Sequence, residues 1–209
     1  MKSSVLEERA VLDWSVAARA LAGQNVCGDL HLVKPFDHRV LVAVIDGVGH
    51  GDKAAAAARR AADILEFYAS DPAIALVKRC HAALAQTRGV VLTVAELNSA
   101  EDTMTWIGVG NVEGRLLRAD ARARHPREEI LLRGGVVGHH LPALQTSVIP
   151  VAAGDVLILA TDGIRPGFAD GLKLDETPRE LADKILSRHF KGNDDALVFV
   201  ARYLGMRHE

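Results

Sequence analysis

Three aspartates stand where chemistry could be done: Asp46, Asp162 and Asp194. Asp46 and Asp162 each close an apolar run and are followed by glycine, as Leu41-Val42-Ala43-Val44-Ile45-Asp46-Gly47 and Leu157-Ile158-Leu159-Ala160-Thr161-Asp162-Gly163. The third opens the last apolar run, in Asn193-Asp194-Asp195. One Asp-Gly after a strand reads as a turn, because both residues tolerate the backbone angles a turn demands. Three strand ends carrying carboxylates read differently, since in a two-sheet sandwich they can converge on one rim. Gathered carboxylates repel unless positive charge sits between them. A ligand set of oxygens, without partnering cysteine or histidine, selects a hard ion such as Mn²⁺ or Mg²⁺. Two such ions can activate a water and polarise a phosphoryl group for in-line attack. Gly47 adds a backbone carbonyl that can approach an ion closely. Asp194 and Asp195 are neighbours on a strand and point to opposite sides, so one of the pair reaches the ions.

The elements that must position these residues follow from periodicity. Residues 11–21, 29–36 and 39–45 read as strands, the last apolar on both faces and so covered on both. The period then changes. Residues 53–68 place Ala54, Ala57, Ala58, Ala61, Leu65 and Tyr68 on one face, an amphipathic helix whose small residues let it lie close to a sheet. Asp71 and Pro72 suit a cap and a first helical position. The helix they open carries Leu76, Val77, Cys80 and Leu84 on one stripe and is expected to end near Arg88-Gly89. Strands are predicted at residues 90–97, 103–109, 114–119, 129–133, 147–151 and 156–160, with Gly110 to Gly114 as a hairpin connection. Thr177-Pro178 opens a third helix, and residues 196–203 form the last strand. Runs of strands with segregated helices indicate an α+β fold, with two packed sheets and helices outside, in one domain over residues 1–209.

Composition removes several alternatives. The 209 residues are 49% hydrophobic, which excludes a disordered chain. No apolar run approaches the ~20 residues of a membrane span, and Met1 to Arg9 turns acidic without an apolar signal core, so the expected location is cytoplasmic. Net charge is −2 and the basic residues form no stripe, against a nucleic-acid partner. Cys27 and Cys80 lack metal or redox spacing and read as reduced thiols, Cys80 in the core. Gly47, Gly49 and Gly51 after a strand invite a dinucleotide-binding reading, but the fingerprint needs glycine where the chain has Asp52, which would repel a pyrophosphate. His139 and His140 are adjacent on an extended chain, point apart, and so do not share an ion.

Four motifs in fixed order carry a family resemblance over nearly the whole chain. Asp46-Gly47-Val48-Gly49-His50-Gly51 resembles the Asp-x-x-Gly-His-Gly motif of the SpoIIE-type branch of the PPM (PP2C-like) phosphatases. Gly28-Asp29 resembles its upstream Gly-Asp, Thr161-Asp162-Gly163 its Asp-Gly, and Asp194-Asp195-Ala196-Leu197-Val198 its closing motif. Gly108 to Gly114 and Gly135 to Pro142 are similar to the RsbX-type, stressosome feedback subtype. The resemblance implies a four-layer α-β-β-α sandwich and hydrolysis of phosphoserine or phosphothreonine with Mn²⁺ or Mg²⁺, as two ions. It implies phosphorylated STAS-domain stressosome proteins (RsbS/RsbR type) as partners, and a role in resetting the stress response. Asp46 would bridge both ions, Gly47 would give a carbonyl, and Asp162 and Asp194 would hold the other ion. Asp29 would orient a water or bind directly. By family register Asp194 is the ligand and Asp195 fixes the loop; His50 is a candidate acid and Asn111 a candidate cleft residue. Two departures stand out. Eukaryotic relatives grip phosphate with an arginine where this chain has Gln24, and His50 lies four residues after Asp46 rather than two. A phosphatase-like docking module that turns over poorly is the alternative; intact Asp46, Asp162 and Asp194 favour the enzyme.

Overall fold

The computed structural model describes residues 11–120 and 122–205; the Met1 to Arg9 stretch lies outside them. Two antiparallel-rich sheets organise the chain. One runs β1 (Leu12–Arg19), β11 (Ala196–Tyr203), β10 (Val156–Ala160), β6 (Glu113–Leu117), β7 (Arg127–Glu129). The other runs β2 (Asp29–Phe36), β3 (Arg39–Gly47), β4 (Val90–Asn98), β5 (Thr103–Val109), β8 (Leu132–Arg133), with β9 (Ser147–Pro150) paired to β5. Helices α1 (Asp52–Phe67) and α2 (Ala73–Leu84) pack on the second sheet, and α3 (Pro178–His189) on the first.

Three separate apolar layers explain why the middle strands are apolar on both faces. Leu41, Ala43 and Ile45 of β3 face the α1/α2 layer, and Val40, Val42 and Val44 face the layer between the sheets. On β10 and β11, Leu157, Leu159, Leu197 and Phe199 enter that middle layer, while Ile158, Val198 and Val200 meet α3. The result is the α-β-β-α sandwich. Ala54, Ala57, Ala58 and Ala61 are buried with Leu65, and Cys80 is fully buried on α2.

Local differences from the sequence reading have identifiable causes. Helix α2 ends at Leu84, a turn before Arg88. Thr87 Oγ1 donates to Leu84 O at 2.8 Å and accepts the Gly89 N–H at 3.0 Å, so it satisfies the helix end early. Asp71 does not cap; Pro72 holds that position and Asp71 pairs with Arg79 at 2.6 Å. Gly110 to Gly114 is not a hairpin, because β5 and β6 belong to different sheets. Thr93 Oγ1 donates to Val112 O at 2.7 Å and anchors this crossing inside the sandwich. Residues 129–133 likewise form two strands, β7 in one sheet and β8 in the other, with the crossing at Ile130. Helix α3 opens as expected: Thr177 and Glu180 form a reciprocal capping box with Pro178 behind it, an arrangement worth about 1 kcal/mol.

Candidate metal centre

Register alone brings the first two carboxylates together. β2 and β3 are antiparallel with Asp29 directly opposite Asp46. Alternation along β3, with Val42 and Val44 facing between the sheets, turns Asp46 the same way at the end of that layer. Like charges facing across a ladder oppose folding. Alternation along β10 carries Thr161 inward after Leu159. Thr161 Oγ1 donates to Asp29 Oδ2 at 2.8 Å and accepts the Leu197 N–H at 2.8 Å, joining the two sheets at the rim.

Asp162 follows, half-buried. Asn111 Nδ2 donates to its Oδ2 at 2.8 Å, and Lys191 Nζ donates to its main-chain oxygen at 2.5 Å. Asp194 is half-buried just before β11, and its Oδ1 accepts the Asp195 N–H at 2.8 Å. Asp195 is 3% exposed, and its two oxygens accept the N–H groups of Leu21 and Gly28, both at 2.7 Å. Its carboxylate therefore pins the loop between β1 and β2 that delivers Asp29. His50 and Asn111 are exposed.

Both Asp-Gly pairs have a packing reason for the glycine. A Cβ on Gly47 would stand 2.1 Å from Ala54 O, and one on Gly163 2.0 Å from Asp195 O. Each glycine lets another segment, α1 at Gly47 and the approach to β11 at Gly163, press on the strand end that carries an aspartate. Gly28 is similarly closed in, its Cβ position 2.9 Å from Asp195 Oδ2 and 3.0 Å from Ala54 Cβ.

The electrostatics describe a site built for positive charge. Burial pushes the Asp46 carboxyl up to about 9, reinforced by the charges of Asp29, Asp162, Asp194 and Asp195. Burial raises Asp29 to about 7, against the Thr161 hydrogen bond that lowers it. Asp162 is raised by burial and Asp194, with Lys191 and Asn111 pulling it back. Among the described residues no three His, Cys, Asp or Glu side chains close into a cage around a common point. A donor set of carboxylate oxygens fits a hard divalent cation. Asp46, Asp162 and Asp194 could hold such ions, with Asp29 beside them.

Three neighbours escaped the sequence reading. Thr161 signals itself only as a polar residue at an inward position of an apolar strand. Lys191 lies in a polar loop that the sequence does not connect to Asp162. Arg88 lies over the loop after Asp46, with a terminal nitrogen 2.7 Å from a Cβ built on Gly49; the Gln24 amide oxygen lies as close to one on Gly51.

Comparison with known proteins gives a consistent picture. The family model described as Stage II sporulation protein E (SpoIIE) matches residues 37–204. The phosphoserine phosphatase RsbX of Bacillus subtilis (strain 168) is 26% identical over 83% of this chain and 85% of its own. A solved chain from work on the bacterial stressosome as a modular system controlling secondary messenger signalling is 29% identical. It has a TM-score of 0.83 and covers 91% of this chain and 99% of its own. RsbX in complex with magnesium shares the fold, with a TM-score of 0.83 at 24% identity over 94% of this chain and 98% of its own. Among the described residues no helix is long and apolar enough to cross a membrane. The chain belongs to the SpoIIE family and is a PP2C-like serine/threonine protein phosphatase.

Proposed function

We propose that the chain hydrolyses phosphoserine or phosphothreonine on phosphorylated STAS-domain proteins of a stressosome, resetting a stress response from the cytoplasm. The observation that carries the chemistry is the meeting of Asp29 and Asp46 from one sheet with Asp162 and Asp194 from the other at a single rim. The partner class rests on similarity to RsbX and to the stressosome chain.

Asp46, Asp162, Asp194 and the Gly47 carbonyl would hold Mn²⁺ or Mg²⁺, as two ions; when bound, the ions supply an activated water and charge for the developing phosphoryl oxygens. The chain's own residues do the positioning. Thr161 holds Asp29 Oδ2 through a hydrogen bond, which leaves the other oxygen to orient a water or to bind an ion directly. Asn111 orients Asp162. Asp195 contributes by holding the Leu21 to Gly28 loop rather than by binding an ion. His50, exposed at the start of α1, is the candidate to protonate the leaving seryl or threonyl oxygen.

The test is phosphate release from a phosphorylated STAS-domain protein with Mn²⁺, with a chelator, and with Asp46→Asn and Asp162→Asn. Release that needs Mn²⁺ and fails in both variants supports the reading. A protein that binds the phosphorylated partner yet releases nothing with any divalent ion overturns it in favour of a docking module.

A further inference from the structure

We infer that Lys191 contacts the phosphoryl group of the substrate; this rests on the metal-centre reading above. Lys191 lies in the Phe190 to Asp194 segment, outside every motif, and its backbone is fixed against the end of the Asp162-Gly163 turn. The Lys191 N–H donates to Gly163 O at 2.9 Å, and next to it the Arg165 N–H donates to His189 O at 2.8 Å. The exposed ammonium is therefore delivered from a tethered position to the Asp162 carbonyl, at 2.5 Å. An ammonium has three N–H donors, and this contact uses one. Among the described residues no carboxylate oxygen lies within ion-pairing distance of it.

Charge balance says what the remaining donors are for. Asp29, Asp46, Asp162, Asp194 and Asp195 carry five negative charges when ionised, of which two divalent ions neutralise four. A phosphate monoester then brings up to two more. The approaching dianion adds to an excess of negative charge, and Lys191 is a cation beside it whose ammonium is held by a neutral carbonyl instead of a carboxylate. A lysine acts on phosphate as a mobile point charge, which suits a group that must release the product.

A purely structural role, clamping two loops, is the competing explanation, and the two differ in sign. Removing a positive charge beside Asp162 favours binding of cations and disfavours binding of anions; loosening the loop weakens both. Lys191→Gln keeps a donor for the carbonyl and removes the charge, and Lys191→Arg keeps the charge. Calorimetry would measure Mn²⁺ binding, then inorganic phosphate binding to the Mn²⁺-loaded protein, with KM and kcat on the phosphoprotein alongside. The expected result for Lys191→Gln is Mn²⁺ bound as tightly as in the wild type or tighter, phosphate bound about tenfold more weakly, and a raised KM. Lys191→Arg should recover most of the phosphate affinity. Unchanged phosphate binding in Lys191→Gln, or weakening of Mn²⁺ and phosphate together, overturns the inference while leaving the metal centre intact. A wild-type protein that binds no Mn²⁺ overturns the metal centre and this inference with it.

Discussion

The ends of β3 and β10 share a design and differ in how their charge is managed. Both are buried strands closing in Asp-Gly, and both glycines are pressed by the backbone of the element that follows or pairs. Asp162 has an amide on its side chain and an ammonium on its carbonyl. Asp46 faces another carboxylate, Asp29, and burial pushes it up to about 9. The second sheet thus carries the uncompensated half of the site and the first sheet the compensated half. Metal binding should relieve the former more than the latter.

The largest effects that would break this comparison are at the aspartates themselves. Asp46→Asn and Asp162→Asn should each lower phosphate release by on the order of a thousandfold. Asp46→Asn should also stabilise the metal-free protein, by about 1 kcal/mol in urea unfolding and by more than Asp162→Asn, because it removes the more strongly disfavoured buried carboxylate. Equal stabilisation by both would end the distinction. The same asymmetry sets a pH dependence. A carboxyl whose folded pKa lies above its unfolded value gives stability that is complete at low pH and lost as pH rises through the folded value. The metal-free protein should therefore lose thermal stability as pH climbs from about 4 toward 9, and saturating Mn²⁺ should flatten the slope.

Next come the glycines. Gly47→Ala and Gly163→Ala each set a Cβ against a carbonyl oxygen at 2.1 and 2.0 Å, and each should cost ~3 kcal/mol or more. A tolerated alanine at one end would mean that the helix or strand pressing there can retreat. Thr161→Val removes the hydroxyl that Asp29 and the Leu197 N–H share. It should cost about 2 kcal/mol in stability and weaken Mn²⁺ binding, measured by calorimetry. The smallest effect is expected at Asn111→Ala, a loss of about 1 kcal/mol seen as a several-fold lower kcat, since the Asp162 amide contact is exposed.

What was legible in the sequence was whatever periodicity and chain order encode. Apolar runs announced β3, β10 and β11, small residues announced the close-packed α1, and the aspartates at strand ends announced a rim. Partner choice was not encoded locally. Gly110-Asn111 signals a change of direction, but nothing nearby says that β6 joins β10 in the other sheet. Residues 129–133 read as one strand because the step between sheets at Ile130 leaves the apolar pattern intact. Thr161 and Lys191 were missed for the same reason. Their importance comes from contacts 132 and 29 residues away in the chain, to Asp29 and Asp162. The α2 boundary was lost to a side-chain bond, Thr87 to Leu84, that outcompeted propensity.

The strand order also fixes when the protein can first become itself. β1 pairs with β11 alone, the first strand of the described chain with the last. On the ribosome β1 must wait without a strand partner, and β10 unpaired on one side, until Ala196–Tyr203 has left the exit tunnel. Closing a loop of that length is slow, so the second sheet with α1 and α2 can assemble well before the first. Ions requiring carboxylates from both sheets would then be captured only once β11 has docked, so that loading marks the closing of the first sheet.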